Sequence, residues 1–263
     1  MQERHSNREQ YFKEQGLVTG KYVVPYINNY HAVTPVCVVA EIGCGEAGNM
    51  MPFLDMGCKV VGVDLSESKI ENGKKFFASH PNVNNLTLIA ENIYNVTPAE
   101  IGQFDLVVMR DTIEHIPDQE KFLGQLKLFL KPGAHVYFGF PPWTMPYGGH
   151  QQVCRGKFIS KMPWTHLLPR GMYKGLLKMV GESDATIQNL MEVYDTGIST
   201  RRFRKAAKMN GYRIDNESLY FINPNYEIKF GLKPRRLFPL FNIPVLRDFY
   251  STTAYYIISI DKN

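Results

Sequence analysis

Three glycines, Gly43, Gly45 and Gly48, punctuate the segment EIGCGEAGN, and Asp64 follows twenty-one residues after the first of them. A GxGxxG turn between a strand and a helix offers a ligand bare backbone, and an acid at the tip of the next strand can accept hydrogen bonds from ribose hydroxyls. That pattern suits a nicotinamide dinucleotide as well as S-adenosylmethionine. Charge separates the two. A dinucleotide lays a doubly anionic pyrophosphate on the turn, whereas here the turn carries Glu41 and Glu46. A ligand with a sulfonium and an ammonium, and no phosphate, fits acids better. The alternative role for Glu41 is a carboxylate satisfied by backbone N–H groups of the turn.

Other chemistry-bearing residues lie further along. Asp111 and His115 follow the apolar run FDLVVM, and His150 sits in the polar turn YGGHQQ. Transfer to a hydroxyl needs a general base, and histidine is the commonest, so His150, His115 and Asp111 are the catalytic candidates. Each has a plainer alternative: His115 buttressing a pocket, Asp111 capping a helix. His166, between Trp and Leu neighbours, reads as packed. Cys37, Cys44, Cys58 and Cys154 show no CxxC or other metal-ligand spacing, so reduced thiols and no metal are expected.

The elements that must position these residues are legible as periodicity. VCVVAEI, KVVGV, LTLIA, FDLVVM and AHVYFGF, at 36–42, 59–63, 86–90, 104–109 and 134–140, are short β-branched or apolar runs, as strands buried on both faces require. Amphipathic stretches alternate with them: NMMPFLDM stopped by Gly57, Ser66 to Ser79, a start at Thr97-Pro98 with Glu100, and 117–133 ended by Pro132 and Gly133. This alternation predicts an α/β fold, a doubly wound and mostly parallel Rossmann-like sheet. The rhythm then breaks over 141–198, which holds both tryptophans and helix-like stretches at 172–180 and 185–194. Connections in such units are usually about 2 to 6 residues, so this is an inserted cap, expected over the ligand crevice. A helix over 199–210 and two strands at 212–222 and 252–260 complete the chain. The division expected is a helical segment at 1–35, a cofactor-binding core at 36–140, the cap at 141–198, and the last helix with its strand pair at 199–263.

Composition narrows the function classes. With 44% apolar and 21% charged residues and 16 Phe, 15 Tyr and 2 Trp, a packed core is expected and wholesale disorder is excluded. No apolar run reaches the roughly 18 to 20 residues of a membrane span, and the polar N-terminus lacks a signal-peptide core; a cytoplasmic protein is expected. The net charge of +5 is concentrated in two places, +2 over 141–200 and +3 over 223–249. That is too sparse for a nucleic-acid binder. Cations interleaved with Leu, Phe and Ile at 229–247 suggest peripheral contact with an anionic inner membrane face or a grip on a phosphorylated acceptor. A proline-rich wrap around the sheet edge is the competing account.

The successive segments VVAEIGCGEAGN, VVGVDLSESKI, LIAENI and FDLVVMRDTIEHIPD resemble, in order and spacing, the motifs of class I S-adenosylmethionine-dependent methyltransferases, in the branch of ubiquinone-biosynthesis and small-molecule O-methyltransferases. The resemblance covers 36–140. It implies a seven-stranded sheet whose seventh strand inserts antiparallel beside the fifth. It implies S-adenosyl-L-methionine as cofactor, with Glu41, Gly43, Cys44 and Gly45 around its methionine end and Arg110 main chain near its ammonium. Asp64 would bind the ribose and Leu65 pack on the adenine. Asn92, where the family usually has aspartate, would hold the adenine amino group beside Ile93; Glu91 is the alternative. The implied reaction is methyl transfer to oxygen, less readily nitrogen or carbon, of a small molecule, glycan or lipid-linked precursor, with Trp143, Tyr147 and Gln151 of the cap as substrate candidates. The rival functions are a nicotinamide-dinucleotide oxidoreductase and a non-catalytic S-adenosylmethionine-binding protein.

Overall fold

A computed structural model of the chain describes residues 7–261. Helix α1 (Arg8–Val18) continues through a π-helical turn into α2 (Val24–Asn28). The alternating part follows: β1 (Val38–Ile42), α3 (Met51–Asp55), β2 (Lys59–Asp64), α4 (Glu67–Phe77), β3 (Leu86–Ala90), α5 (Pro98–Ile101), β4 (Phe104–Arg110), α6 (Gln119–Leu126) and β5 (Leu130–Phe140). The cap contributes α7 (Arg170–Met179) and α8 (Asp184–Thr196). The chain closes with α9 (Thr200–Met209), β6 (Tyr212–Ile222), α10 (Asn225–Phe230), β7 (Arg235–Arg236), α11 (Leu246–Tyr250) and β8 (Thr253–Ile260).

The strands form one sheet in the order β3-β2-β1-β4-β5-β8-β6-β7. The first five are parallel, and β8 lies antiparallel between β5 and β6. The order reverses between β1 and β4, the point where open α/β sheets leave a crevice at their carboxyl ends. The expected sheet had seven strands; an eighth, the two-residue β7, pairs with the far end of β6. So short an edge strand leaves no hydrophobic periodicity to read.

Local sequence chemistry sets most boundaries. Ser66 and Ser199 accept hydrogen bonds from Lys69 N and Arg202 N at the starts of α4 and α9, and Thr97 and Glu100 close a reciprocal capping box at α5. The expected helix over 117–133 is shorter. α6 gives way to a 3₁₀ turn at 127–129, and β5 begins at Leu130 and runs through Pro132 and Gly133. Leu130 pairs with Phe104 and is 4% exposed; burial against β4 outweighs helix continuation.

Two apolar layers flank the sheet, one of them centred on Phe122, Phe138, Phe140, Phe203 and Tyr256, the other on Phe53, Leu106, Tyr137 and Tyr255. The cap has a small core of its own around Cys154, Tyr173, Leu177 and Leu190.

Candidate functional site

A cleft opens at the carboxyl ends of β1, β2 and β4, lined by Gly43, Asp64, Leu65, Lys69, Glu91, Asn92, Ile93, Tyr94, Asp111, Thr112 and His115, with Ile116, Pro117 and Phe122 behind. Its floor is the glycine turn. Gly43 has φ +74, and a Cβ there would lie 2.3 Å from the Thr112 side chain, so glycine is demanded twice over. Gly45, at φ +57, donates its N–H to Asp64 Oδ2 at 2.8 Å, and Ser66 N donates to Oδ1 at 2.8 Å. Asp64 therefore clamps the turn and still faces the cleft. Gly48 has another function: a Cβ on it would lie 2.5 Å from the Phe12 carbonyl, so its bareness admits α1. Cys44 turns its buried side chain against Gly62, inside the core, and does not line the cleft.

Glu41 is fully buried. Its Oε1 accepts from Asn49 Nδ2 at 2.6 Å, and its Oε2 has no partner. The turn's N–H groups do not satisfy it; a side-chain network does. Arg110, also buried, donates to Asn49 Oδ1 at 2.9 Å and Thr19 Oγ1 at 3.1 Å, and to Asn225. Burial raises the Glu41 pKa to about 8, against the lowering pull of Asn49 and Arg110. Glu46, 1% exposed, is paired with Arg8, whose Nε lies 2.6 Å from Oε1. The expected acidic turn is thus much less negative than its sequence: one acid is ion-paired and the other holds its proton near neutrality. The missed signal was Arg8, thirty-eight residues from its partner.

On the opposite wall Leu65 is 75% exposed at the cleft mouth. Glu91 Oε1 accepts from Asn92 N and Asn95 Nδ2, while Asn92 Oδ1 accepts from Tyr94 N at 3.1 Å. Both side chains border the cleft. Lys69, Thr112 and Tyr94 are lining residues that sequence reasoning did not single out.

At the end of β4, Asp111 adopts φ +53, an uncommon conformation for a residue with a Cβ, and its N–H donates to Gly139 O at 2.7 Å. The short helix after it is capped by Thr112, so Asp111 is not an N-cap. His115 faces the cleft, with the His150 ring 5.1 Å behind it, edge to face. Burial lowers the pKa of both, that of His150 to about 3. Beside them is Glu114, which was not anticipated: it is 2% exposed, and neither carboxylate oxygen has a hydrogen-bond partner.

Among the described residues none of the expected cap lines the cleft; His150 touches it indirectly, through its ring contact with His115. Gln151 is fully buried, its Nε2 holding the carbonyls of Pro146 and Met162 at 3.0 and 3.1 Å; the expected substrate contact is instead a brace of the cap turn. Trp143 packs on His166 and Tyr194 at 4.6 and 5.4 Å, and the Tyr147 hydroxyl donates to Lys161 O. None of the three lines the cleft. His166 is packed, as expected, with Nε2 2.7 Å from Trp143 O.

Residues 40–136 match the family model described as a methyltransferase domain. The chain carries a class I S-adenosylmethionine-dependent methyltransferase domain. A ubiquinone biosynthesis O-methyltransferase of Acinetobacter baumannii is 28% identical to it over 100 residues, 38% of this chain and 42% of the relative. The match thus spans less than half of that relative's length. Among solved structures, the CcbJ methyltransferase of Streptomyces caelestis superposes with a TM-score of 0.56 at 14% identity, covering 92% of this chain and 90% of the other. A geranyl diphosphate C-methyltransferase of Streptomyces coelicolor, in complex with magnesium, geranyl diphosphate and S-adenosyl-L-homocysteine, gives 0.54 at 14%, covering 92% and 80%. At these identities the methyltransferase structures share the fold. Among the described residues no helix is long and apolar enough to cross a membrane.

Proposed function

We propose that this protein transfers the methyl group of S-adenosylmethionine to an oxygen of a small molecule, glycan or lipid-linked precursor. The observation that carries the reading is convergence: the glycine turn, Asp64 at the tip of β2, Asn92 and Ile93 after β3, and Asp111 with His115 after β4 all meet in one cleft. Asp64 would accept from the ribose hydroxyls, Leu65 would cover the adenine, and Asn92 with Ile93 would read its edge. The residues present fit it: Gly43 keeps the floor bare, and the orphaned Oε2 belongs to Glu41, two residues before Gly43. When bound, the cofactor supplies an electrophilic methyl.

The chain's own task is then placement, worth about 7–11 kcal/mol in favourable cases, together with exclusion of water and removal of one proton. In the metal-free protein the neutral imidazole of His115, with the Asp111 carboxylate beside it in the cleft lining, accepts that proton. His150, with a pKa near 3, is too weak a base and lies behind it. A cation at the turn would draw the Glu41 pKa back down, so binding should release protons near neutral pH.

Because Arg8 neutralises Glu46, charge bars a dinucleotide less firmly than the sequence implied, and a direct test is needed. Thermal melts with S-adenosylhomocysteine and with NAD separate the two: a rise with the first alone is expected, and a rise with NAD alone would sink the proposal. Asp64→Ala should lower S-adenosylhomocysteine affinity at least about a hundredfold, because it removes two charge-assisted bonds to the turn as well as the ribose contact.

We further propose that 229–247 touches an anionic membrane face. Phe230, Leu232, Phe238, Leu240, Ile243 and Val245 are each 49–71% exposed, and Lys233, Arg235 and Arg236 stand exposed among them. The segment does wrap the sheet edge, where Arg235 and Arg236 pair with β6, and these apolar groups nonetheless stay exposed. Sedimentation with anionic vesicles at two salt concentrations should show salt-sensitive binding; its absence removes the membrane contact and leaves the methyl-transfer reading intact.

A further inference from the structure

We propose that Glu114, His115 and His150 bind one divalent transition-metal ion, of the zinc type, at the inner edge of the cleft. One ligand atom from each, a carboxylate oxygen and two ring nitrogens, lies within 4.8 Å of the others. Three donors bound at about 2.0–2.2 Å from a common ion would be about 3.3–3.6 Å apart in a tetrahedral arrangement. Small side-chain rotations therefore close the set.

The second observation is the state of the carboxylate. Glu114 is 2% exposed, yet both its oxygens lack a partner, and a buried carboxylate without compensation is costly. An ion pair with a neighbouring imidazolium is not what the geometry provides. Neither imidazole hydrogen-bonds to it among the described residues; the rings instead contact each other at 5.1 Å. The backbone around the cluster is held in place. Thr196 Oγ1 donates to the Glu114 carbonyl at 2.5 Å, and Gln119 Nε2 donates to Thr196 O at 2.6 Å, fastening the cap helix α8 to this turn. His150 has φ +58 and Asp111 φ +53. Such conformations cost about 1–3 kcal/mol each, and they persist where the surroundings impose them.

The donor set selects the ion. Two imidazoles and one carboxylate suit zinc, manganese or ferrous iron, while calcium and magnesium prefer all-oxygen sites. Three protein donors leave at least one coordination position open. His115 lines the cleft, and so does Asp111, so the open position lies toward the acceptor end. This role for the ion rests on the methyl-transfer reading; the binding itself does not. In the loaded protein His115 is a ligand and no longer a base. An acceptor hydroxyl bound at the open position loses its proton more readily, its O–H bond breaking and the proton passing to the Asp111 carboxylate.

The test is zinc binding to the full chain after chelator treatment, by calorimetry, with cobalt substitution read as visible d–d absorption. One equivalent per chain is expected. Glu114→Gln and His150→Ala should each weaken binding by about 10–100-fold or more, the loss that even outer-shell changes produce at metal sites. His80→Ala, at a surface pair with Asp55, should leave it unchanged. S-adenosylhomocysteine binding in each variant checks that it is folded. No saturable one-to-one binding by the wild type, or unaltered affinity in both variants, overturns the proposal. Zinc binding without S-adenosylhomocysteine binding would support the metal site and remove the methyltransferase reading; the reverse result would remove the metal site alone.

Discussion

Two buried glutamates stand at the carboxyl ends of neighbouring strands and differ in what surrounds them. Glu41, on β1, has Asn49 on one oxygen and the Arg110 guanidinium nearby, so only Oε2 is unmet. Glu114, just after β4, has nothing on either oxygen and two imidazoles within ligand distance. The first sits in a polar network complete but for that one oxygen, and it changes little beyond its protonation when a cation binds at the adjacent turn. The second is an unfinished one. An incomplete set of donors around a buried carboxyl is a stronger pointer to a missing ligand than burial is, because completed networks are structural at no further cost.

The comparison can be broken most severely at Arg110. Arg110→Met leaves Asn49, Thr19 and Asn225 without their common donor and should destabilise the fold by about 3–5 kcal/mol, as expected for breaking a buried charged network. Denaturant unfolding measures it. Zinc affinity at the other cluster should be unchanged in protein that remains folded; a parallel loss would show the two clusters to be one unit.

Glu41→Gln sharpens it through pH. The folded pKa, about 8, lies above the unfolded value near 4.5. The stability tied to the neutral carboxyl is therefore fully present below pH 4.5 and lost as pH rises through 8. The glutamine variant cannot ionise. Without ligand it should match the wild type at pH 4.5 and exceed it at pH 8.5 by about 1–3 kcal/mol, the order of an unsatisfied buried group, while binding S-adenosylhomocysteine more weakly. Equal melting temperatures at both pH values would mean that Glu41 is ionised throughout.

The smallest effect is expected at Thr196→Val, which keeps the shape and removes the hydroxyl bonded to the Glu114 carbonyl. It should cost about 1 kcal/mol of stability and lower zinc affinity while leaving S-adenosylhomocysteine affinity alone. A loss of both affinities would place the cap fastening under the whole cleft and not under one half of it.

Legibility followed sequence distance. The five parallel strands, the glycine turn and Asp64 at the tip of β2 are encoded within short windows, where strand period, capping and φ-permissive glycines act locally, and the helix starts near Ser66 and Ser199 lie where the sequence put them. Of the cleft residues that were missed, Thr112 and Lys69 matter because of what they oppose: Thr112 fills the space above Gly43, and Lys69 passes near Gly45. Gln151 was misread because a polar residue in a polar turn resembles a ligand-binding residue until its carbonyl partners are known. The helix through 117–133 was overextended because nothing local reports that Leu130 pairs with Phe104.

The amino-acid order alone therefore determined the class of fold, the place of the crevice and the acid that faces it, since each depends on neighbours a few positions away. Tertiary structure decided the charge state of the site. Arg8 reaches Glu46, burial protonates Glu41, and the cap delivers His150 to Glu114 across thirty-six positions of chain. Electrostatic energy depends on distance and desolvation in space, and neither is defined until the strands have paired and the cap has closed on them.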